Sequence, residues 1–256
     1  MELKVLVRII KLEVNYDNFQ LRVENLQFSP KQVSVIIGPN GAGKSTLLRS
    51  LAGLTRLPPG SVFIDGRDLS AVKGGERAAL VSYVPQEHTA ALNFRVFDFI
   101  LMGRSGYLGI FSTPSRSDYQ KTEEVIAYLG LEALAGRKCL ELSSGERRIV
   151  LIARALVQDS NLILLDEPTT FLDLKHEMEI ISLLKKLAVD RGKTIITSLH
   201  SLDLIPRLAD FLVMIKNGRI LAAGETGEVF RSELLASLFD FPVRVVEAEG
   251  QPLLLR

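Results

Sequence analysis

The sequence predicts an α/β core built in two halves, with a helical segment inserted between them, and three observations carry that expectation. Short apolar runs rich in β-branched residues, Val33–Ile37, Leu162–Leu165 and Thr194–Ser198, have the length and composition of buried strands. Stretches of helical periodicity alternate with these runs. Strand signals thin between Gln86 and Ser143, where helical patterns take over.

Taken in order, the opening MELKVLVRIIKLEV breaks its apolar residues with Lys4, Arg8, Lys11 and Glu13, and its near-alternation predicts a strand. It has no continuous apolar core and no cleavage site, so it does not read as a secretory signal. Val33–Ile37, bounded by Pro30 and Gly38, passes through a glycine-rich turn into a helix over Lys44–Leu54. A Gly/Ser/Pro-containing stretch from Gly103 to Ser117 precedes a helix over Asp118–Leu129. Helices over Glu146–Gln158 and His176–Asp190 precede the second and third buried strands. Phe211–Ile215 turns through Asn217-Gly218 into Arg219–Ala223, a hairpin signal. Ser232–Arg256 reads as a helix followed by strands. No repeat of 20–50 residues and no low-complexity tract occurs.

Composition narrows the function classes. The 256 residues are 47% hydrophobic and 24% charged, with 31 Lys+Arg against 30 Asp+Glu, so a disordered or disulfide-stapled chain is excluded. A net charge of +1 gives no global pull towards nucleic acid or anionic lipid. The single Cys139 cannot pair internally, which suits a reducing compartment. The longest uncharged stretch, Gln32 to Gly43, is 12 residues and contains Pro39, well short of the roughly 20 apolar residues of a spanning helix.

Two motifs together point to nucleotide hydrolysis. Gly38, Pro39, Asn40, Gly41, Ala42, Gly43, Lys44, Ser45 and Thr46 match G-x-x-x-x-G-K-[ST] between a strand and a helix. Such a loop closes backbone N–H groups around phosphate oxygens and adds the positive end of a helix. Lys44 would reach the β- and γ-phosphates, and the Ser45 hydroxyl would ligate Mg²⁺. The run Leu162–Leu165 delivers Asp166 and Glu167 to the end of a strand, where ligands sit in open α/β sheets. Asp166 would hold Mg²⁺ and Glu167 would polarise the attacking water. Alone, such a run also reads as a solvated strand end; beside a phosphate loop it completes a hydrolase site.

Leu142-Ser143-Ser144-Gly145-Glu146, just before a helix, resembles the L-S-G-G-Q signature of ATP-binding-cassette ATPases. It is equally a Ser N-cap with an acid in the first turn. The resemblance covers nearly the whole chain. It implies a P-loop NTPase core with a mixed, largely parallel sheet, an antiparallel β subdomain and a helical subdomain. A single nucleotide-binding domain over 1–256 would then divide into core segments 1–86 and 160–256 and a helical subdomain 87–159. Further residues fall in family order. Tyr16 stands where an adenine-stacking aromatic is placed, with Phe19 as the alternate. Gln86 matches the Q-loop glutamine linking Mg²⁺ and water to the helical subdomain. Asp173 lies in the D-loop, and His200 matches the switch histidine at the γ-phosphate. His88 and His176 have no such placement and read as surface residues, and Cys139 as a small buried one.

Leu101-Met-Gly-Arg104, Tyr107-Leu-Gly109 and Asp173-Leu-Lys-His176 narrow the resemblance to importer ATPases for metal chelates: iron–siderophore, haem and cobalamin. Zinc and manganese importer ATPases share much of the pattern, and a soluble cassette ATPase of iron–sulfur assembly is the rival class. The family implies ATP and Mg²⁺, a head-to-tail homodimer whose sites are completed by Ser143, Ser144 and Gly145 of the other copy, and an integral-membrane permease. The permease would dock on the apolar Phe94–Phe111, and an extracytoplasmic substrate-binding protein would serve it. Nucleic acid is not implied, and the expected place is the cytoplasmic face of a cell membrane. Departures from the family are Ser144 for a glycine, Arg148 and Ile149 after the signature, Ser201 after the histidine, and Lys31 at a turn glycine.

Overall fold

The computed structural model describes residues 6–16, 18–86, 93–109, 112–248 and 251–255. One ten-stranded sheet organises the chain. Its strands are β1 (Val7–Tyr16), β2 (Phe19–Phe28), β3 (Val33–Ile37), β4 (Val62–Ile64), β5 (Arg67–Asp68), β6 (Val81–Val84), β7 (Leu162–Leu165), β8 (Thr194–Ser198), β9 (Phe211–Lys216) and β10 (Arg219–Glu225). Their spatial order is β5-β4-β1-β2-β10-β9-β3-β8-β7-β6. From β9 through β3, β8 and β7 to β6 all pairs are parallel. β2, β1, β4 and β5 pair antiparallel. The sheet is therefore mixed, as expected, with the parallel half carrying the motifs. β11 (Arg244–Ala248) and β12 (Gln251–Leu255) form a separate hairpin.

The apolar runs follow from this topology. In β3, Val33, Val35 and Ile37 belong to one core and Ile36 to the other, so both faces of the strand are covered and no polar alternation survives. Each fully buried Ile or Leu of these strands contributes roughly 1.5–3 kcal/mol by leaving water. β1 turns Val7, Ile9, Leu12 and Val14 inwards and Arg8 and Lys11 outwards with Glu13 partly so, the period of two breaking once where Ile10 and Lys11 are both exposed.

The helices are α1 (Lys44–Leu51), α2 (Gly74–Leu80), α3 (Val96–Leu101), α4 (Arg116–Leu129), α5 (Ser144–Val157), α6 (Leu174–Asp190), α7 (Ile205–Leu208), α8 (Thr226–Val229) and α9 (Ser232–Phe239). Among the described residues no strand interrupts the interval between β6 and β7, so the helical insertion is present. Bounds shift where caps decide them. α1 stops at Leu51, not Leu54, because Ala52 caps it and Gly53 turns to φ 68. α5 begins at Ser144, since the Ser143 side chain accepts from Glu146 N–H and Glu146 reaches back to Ser143 N–H. α6 begins at Leu174 under an Asp173 cap. Asn217 (φ 48) and Gly218 (φ 73) form the tight turn between β9 and β10.

A buried ion pair holds the helical insertion together. Arg104, in a short 3₁₀ segment Met102–Tyr107, places Nε 2.8 Å from Asp118 Oδ1 on α4. Its Nη1 donates to the carbonyls of Val157 (3.2 Å) and Gln158 (3.3 Å) at the end of α5. The guanidinium lies 4.1 Å from the Tyr107 ring centroid, and Tyr107 OH donates to Gln158 O at 2.7 Å. Arg104 and Tyr107, from the Leu101–Arg104 and Tyr107–Gly109 motifs, thus form a bracket across α4 and α5.

Candidate functional site

The phosphate loop is shaped by backbone that only glycine adopts readily. Gly43, the N-cap of α1, has φ 110, and a Cβ there would meet Phe19 Cζ at 2.8 Å. No side chain caps α1 and no acid stands in its first turn, leaving free N–H donors and a positive helix end. A cavity of about 490 Å³ opens there, lined by Asn18, Phe19, residues 40–46 and Glu167. These are the features of an anion site at a helix start. Lys44, 5% exposed, donates from Nζ to Gly38 O (2.9 Å) and Pro39 O (3.2 Å). Burial pulls its pKa down, and the Glu167 and Asp166 carboxylates push it back up.

β7 lies between β6 and β8 and carries Asp166 and Glu167 out of the core. Asp166 N–H donates to Val84 O at 2.9 Å. Ser198 Oγ donates to Asp166 Oδ1 at 2.7 Å and accepts Glu167 N–H at 2.9 Å, pinning the acid pair to β8. Tyr83 OH lies 3.4 Å from Asp166 Oδ2, and burial, then the Asp166 charge, raises the Tyr83 pKa. Glu167 has φ 49, a left-handed conformation costing a non-glycine residue on the order of 1–3 kcal/mol. Its carboxylate, in a side chain 7% exposed, accepts from Gln86 Nε2 on one oxygen and meets His200 Nε2 on the other. Gln86, Glu167 and His200, predicted from separate motifs, are therefore joined in one place.

The donor set suits a hard cation. The Ser45 hydroxyl, the Asp166 carboxylate and the Gln86 amide oxygen, left over when its nitrogen faces Glu167, are all oxygens. An all-oxygen set with a single carboxylate fits Mg²⁺, which takes few protein carboxylates and completes its shell with water and substrate phosphates.

The other predicted residues sit apart from this cavity. Ser143, Ser144 and Gly145 do not line it; Ser143 and Ser144 are exposed at the start of α5. Tyr16, 52% exposed, lines a neighbouring cleft with residues 54–59, whereas Phe19 packs on the phosphate loop. Asp173 Oδ1 accepts His176 N–H at 2.9 Å and meets His176 Nδ1 at 2.8 Å, which lowers the Asp173 pKa. His176 is not the plain surface residue expected. Its ring packs on Gly145 so closely that a Cβ there would come within 2.1 Å of Cδ2, joining the signature to the D-loop. His88 lies outside the described residues.

Cys139 is buried as a free thiol. Lys31 adopts φ 60, the left-handed conformation its turn requires. The Ser201 side chain lies beside Glu177 and works against the burial that raises the Glu177 pKa. Ser198, Tyr83, Arg148 and His176 are the site residues that sequence reasoning did not place.

Comparison with known proteins agrees with this geometry. A family model described as ABC transporter matches residues 21–170. The achromobactin transport ATP-binding protein CbrD of Dickeya dadantii is 38% identical over 229 residues, covering 89% of this chain and 85% of that protein. A chain of a metal-chelate type ABC transporter in an inward-facing conformation superposes with TM-score 0.85 at 30% identity, covering 98% of this chain and 96% of that one. An ATP-binding cassette solved as a dimer in a post-hydrolysis state with ADP and phosphate superposes with TM-score 0.69 at 25% identity, covering 87% and 98%. With the phosphate loop, the signature and the paired acids on one chain and in this order, the protein belongs to the ABC transporter family as an ATP-binding subunit, an ATPase.

Proposed function

We propose that the chain is the ATP-hydrolysing subunit of an importer for a metal chelate, an iron–siderophore, haem or cobalamin, working through a separate membrane permease. The observation that carries the hydrolytic part is the Glu167 carboxylate, gripped by Gln86 and His200 at the cavity of the phosphate loop. The backbone of Gly38–Thr46 and Lys44 bind the ATP phosphates, and Tyr16 or Phe19 at the β1–β2 turn receives the adenine. Ser45, Gln86 and Asp166 would hold Mg²⁺, which would supply neutralisation of the phosphate charge. Glu167 orients a water and takes its proton as the water oxygen attacks the γ-phosphorus and ADP leaves. His200 holds the carboxylate and contacts the γ-phosphate.

Two copies close head to tail, each site completed by Ser143, Ser144 and Gly145 of the other, with Asp173 at the crossing. The outward placement of the signature, away from the cavity of its own chain, supports this arrangement. An isologous pair has two identical sites. ATP closes the pair and hydrolysis reopens it, since the γ-phosphate contacts vanish. In this reading 87–159 is the helical subdomain that meets the permease, and 1–86 with 160–256 the core. No helix among the described residues is long and apolar enough to cross a membrane; in this reading the pore belongs to the separate permease. The pair sits on the cytoplasmic face, with a substrate-binding protein on the other side.

The metal-chelate cargo rests on the Leu101–Gly109 and Asp173–His176 motifs and on the cargo for which similar proteins are named. The test is affinity isolation of the tagged chain from detergent-solubilised native membranes, followed by mass spectrometry. Recovery of a polytopic permease supports the importer. Recovery of soluble assembly factors with no membrane protein enriched keeps the ATPase and discards the importer.

A further inference from the structure

Arg148 is a charged side chain in an apolar setting, and its partners connect two parts of the machinery. It lies on α5, three and four residues after Gly145 and Ser144, so it stands one turn below them on the same helix face. The residue is 8% exposed. Its Nη1 donates to Pro85 O at 3.4 Å and its Nη2 to Gln86 O at 3.2 Å, so the guanidinium fork spans two consecutive carbonyls just beyond β6. The Gln86 side chain then donates to Glu167, whose other oxygen meets His200.

A purely structural role would be to satisfy two carbonyls at a strand end. That needs donors, but neither the fork nor the charge. The fork does more: gripping adjacent carbonyls fixes the peptide plane of Gln86 and hence the aim of its side chain at Glu167. The sequence itself departs from the family at this position, so family resemblance supplies no role for it.

We propose that Arg148 is a positioning residue of the hydrolytic site, one that ties the start of α5 to the Gln86–Glu167 hydrogen bond within a single chain. The proposal rests on the head-to-tail pair above. There the start of α5 acts on the nucleotide of the partner, while Glu167 acts on its own. Through Arg148 the two move together, so that closure at one site aims the base at the other.

The experiment uses the full chain and compares wild type, Arg148→Gln, Gln86→Ala and the double variant, with ATP as substrate. Four quantities are read: kcat, KM, the Hill coefficient for ATP, and binding of a fluorescent ATP analogue, with melting curves as a control. Misplacing a reacting group by about 1 Å costs on the order of 100-fold. Arg148→Gln is therefore expected to lower kcat between about 10- and 100-fold and bring the Hill coefficient close to 1, with analogue affinity kept within about twofold. On the Gln86→Ala background it should lower kcat little further, because Arg148 acts through Gln86.

Wild-type kcat and Hill coefficient in Arg148→Gln, or full additivity with Gln86→Ala, would overturn the proposal. If Arg148→Gln does not fold at the assay temperature, Arg148→Lys carries the same test, since it keeps the charge and loses the fork. A wild-type chain that hydrolyses ATP without cooperativity overturns the pair beneath the proposal, and the proposal with it. Cooperative wild type with an unchanged variant overturns only the role of Arg148.

Discussion

Replacing Asp118 by asparagine removes the charge facing Arg104 while keeping the shape of the side chain. In the wild type, hydrogen bonds from Ser115 and then from Arg104 hold the Asp118 carboxyl down to a pKa of about 2, from an ordinary 3.8. Arg104 and Asp118 are both nearly enclosed, with side chains 10% and 8% exposed. A buried carboxylate shifted this far contributes about 2 kcal/mol to folding. Removing one partner of a buried pair costs about 3–5 kcal/mol because the other charge is stranded. Here Arg104 keeps the Val157 and Gln158 carbonyls and the Tyr107 ring, so the lower end applies, about 3 kcal/mol. Urea unfolding of wild type, Asp118→Asn, Arg104→Met and the double variant measures it, with the pair energy read from the cycle. The folded pKa is depressed, so this stabilisation is present above pH 3.8 and is lost as the pH falls towards 2; Asp118→Asn should flatten that part of the acid limb. A loss below about 0.5 kcal/mol, the range of an ordinary surface substitution, would refute the bracket across α4 and α5.

Other outcomes follow from single contacts. Lys44→Ala should weaken ATP binding roughly 10- to 100-fold, the equivalent of one charge-assisted hydrogen bond, as measured by calorimetry. Retention of full affinity would remove Lys44 from the phosphates. The Cys139 thiol, whose pKa burial raises, should react with a thiol reagent at pH 8 only as fast as the chain opens, and its reaction should accelerate in urea. Gly145→Ala should cost activity through the His176 clash and regain part of it in Gly145→Ala/His176→Ala; a double variant no better than the single would separate the D-loop from the signature.

What could be read from the sequence was what is local in the chain. β3, its loop and α1 form one continuous stretch, so glycine spacing and apolar run suffice to place Lys44 and Ser45. Asp166 and Glu167 are legible for the same reason, at the end of an unbroken Leu162–Leu165. Ser198 was not, because its role depends on β8 lying beside β7, and a serine at a strand end has many other uses. Arg148 looks like one more charge on an amphipathic helix until β6 is known to end beneath it. The i+3 spacing of Asp173 and His176 was available in the sequence as a capping signal. The ring on Gly145 was not, since it needs α6 to pack against α5. The bounds of α5 and α6 followed their caps, two residues ahead of the apolar periodicity.

Glu167→Gln bears directly on a base that drives a pair of chains apart. Phosphate release should fall at least about 100-fold below wild type, as expected for loss of a general base. With saturating MgATP, light scattering after size exclusion should show a stable dimer, and without nucleotide a monomer. Turnover within about threefold of wild type would remove Glu167 as the base, since losing one costs far more than that. A monomer at saturating MgATP with hydrolysis lost would contradict the head-to-tail pair.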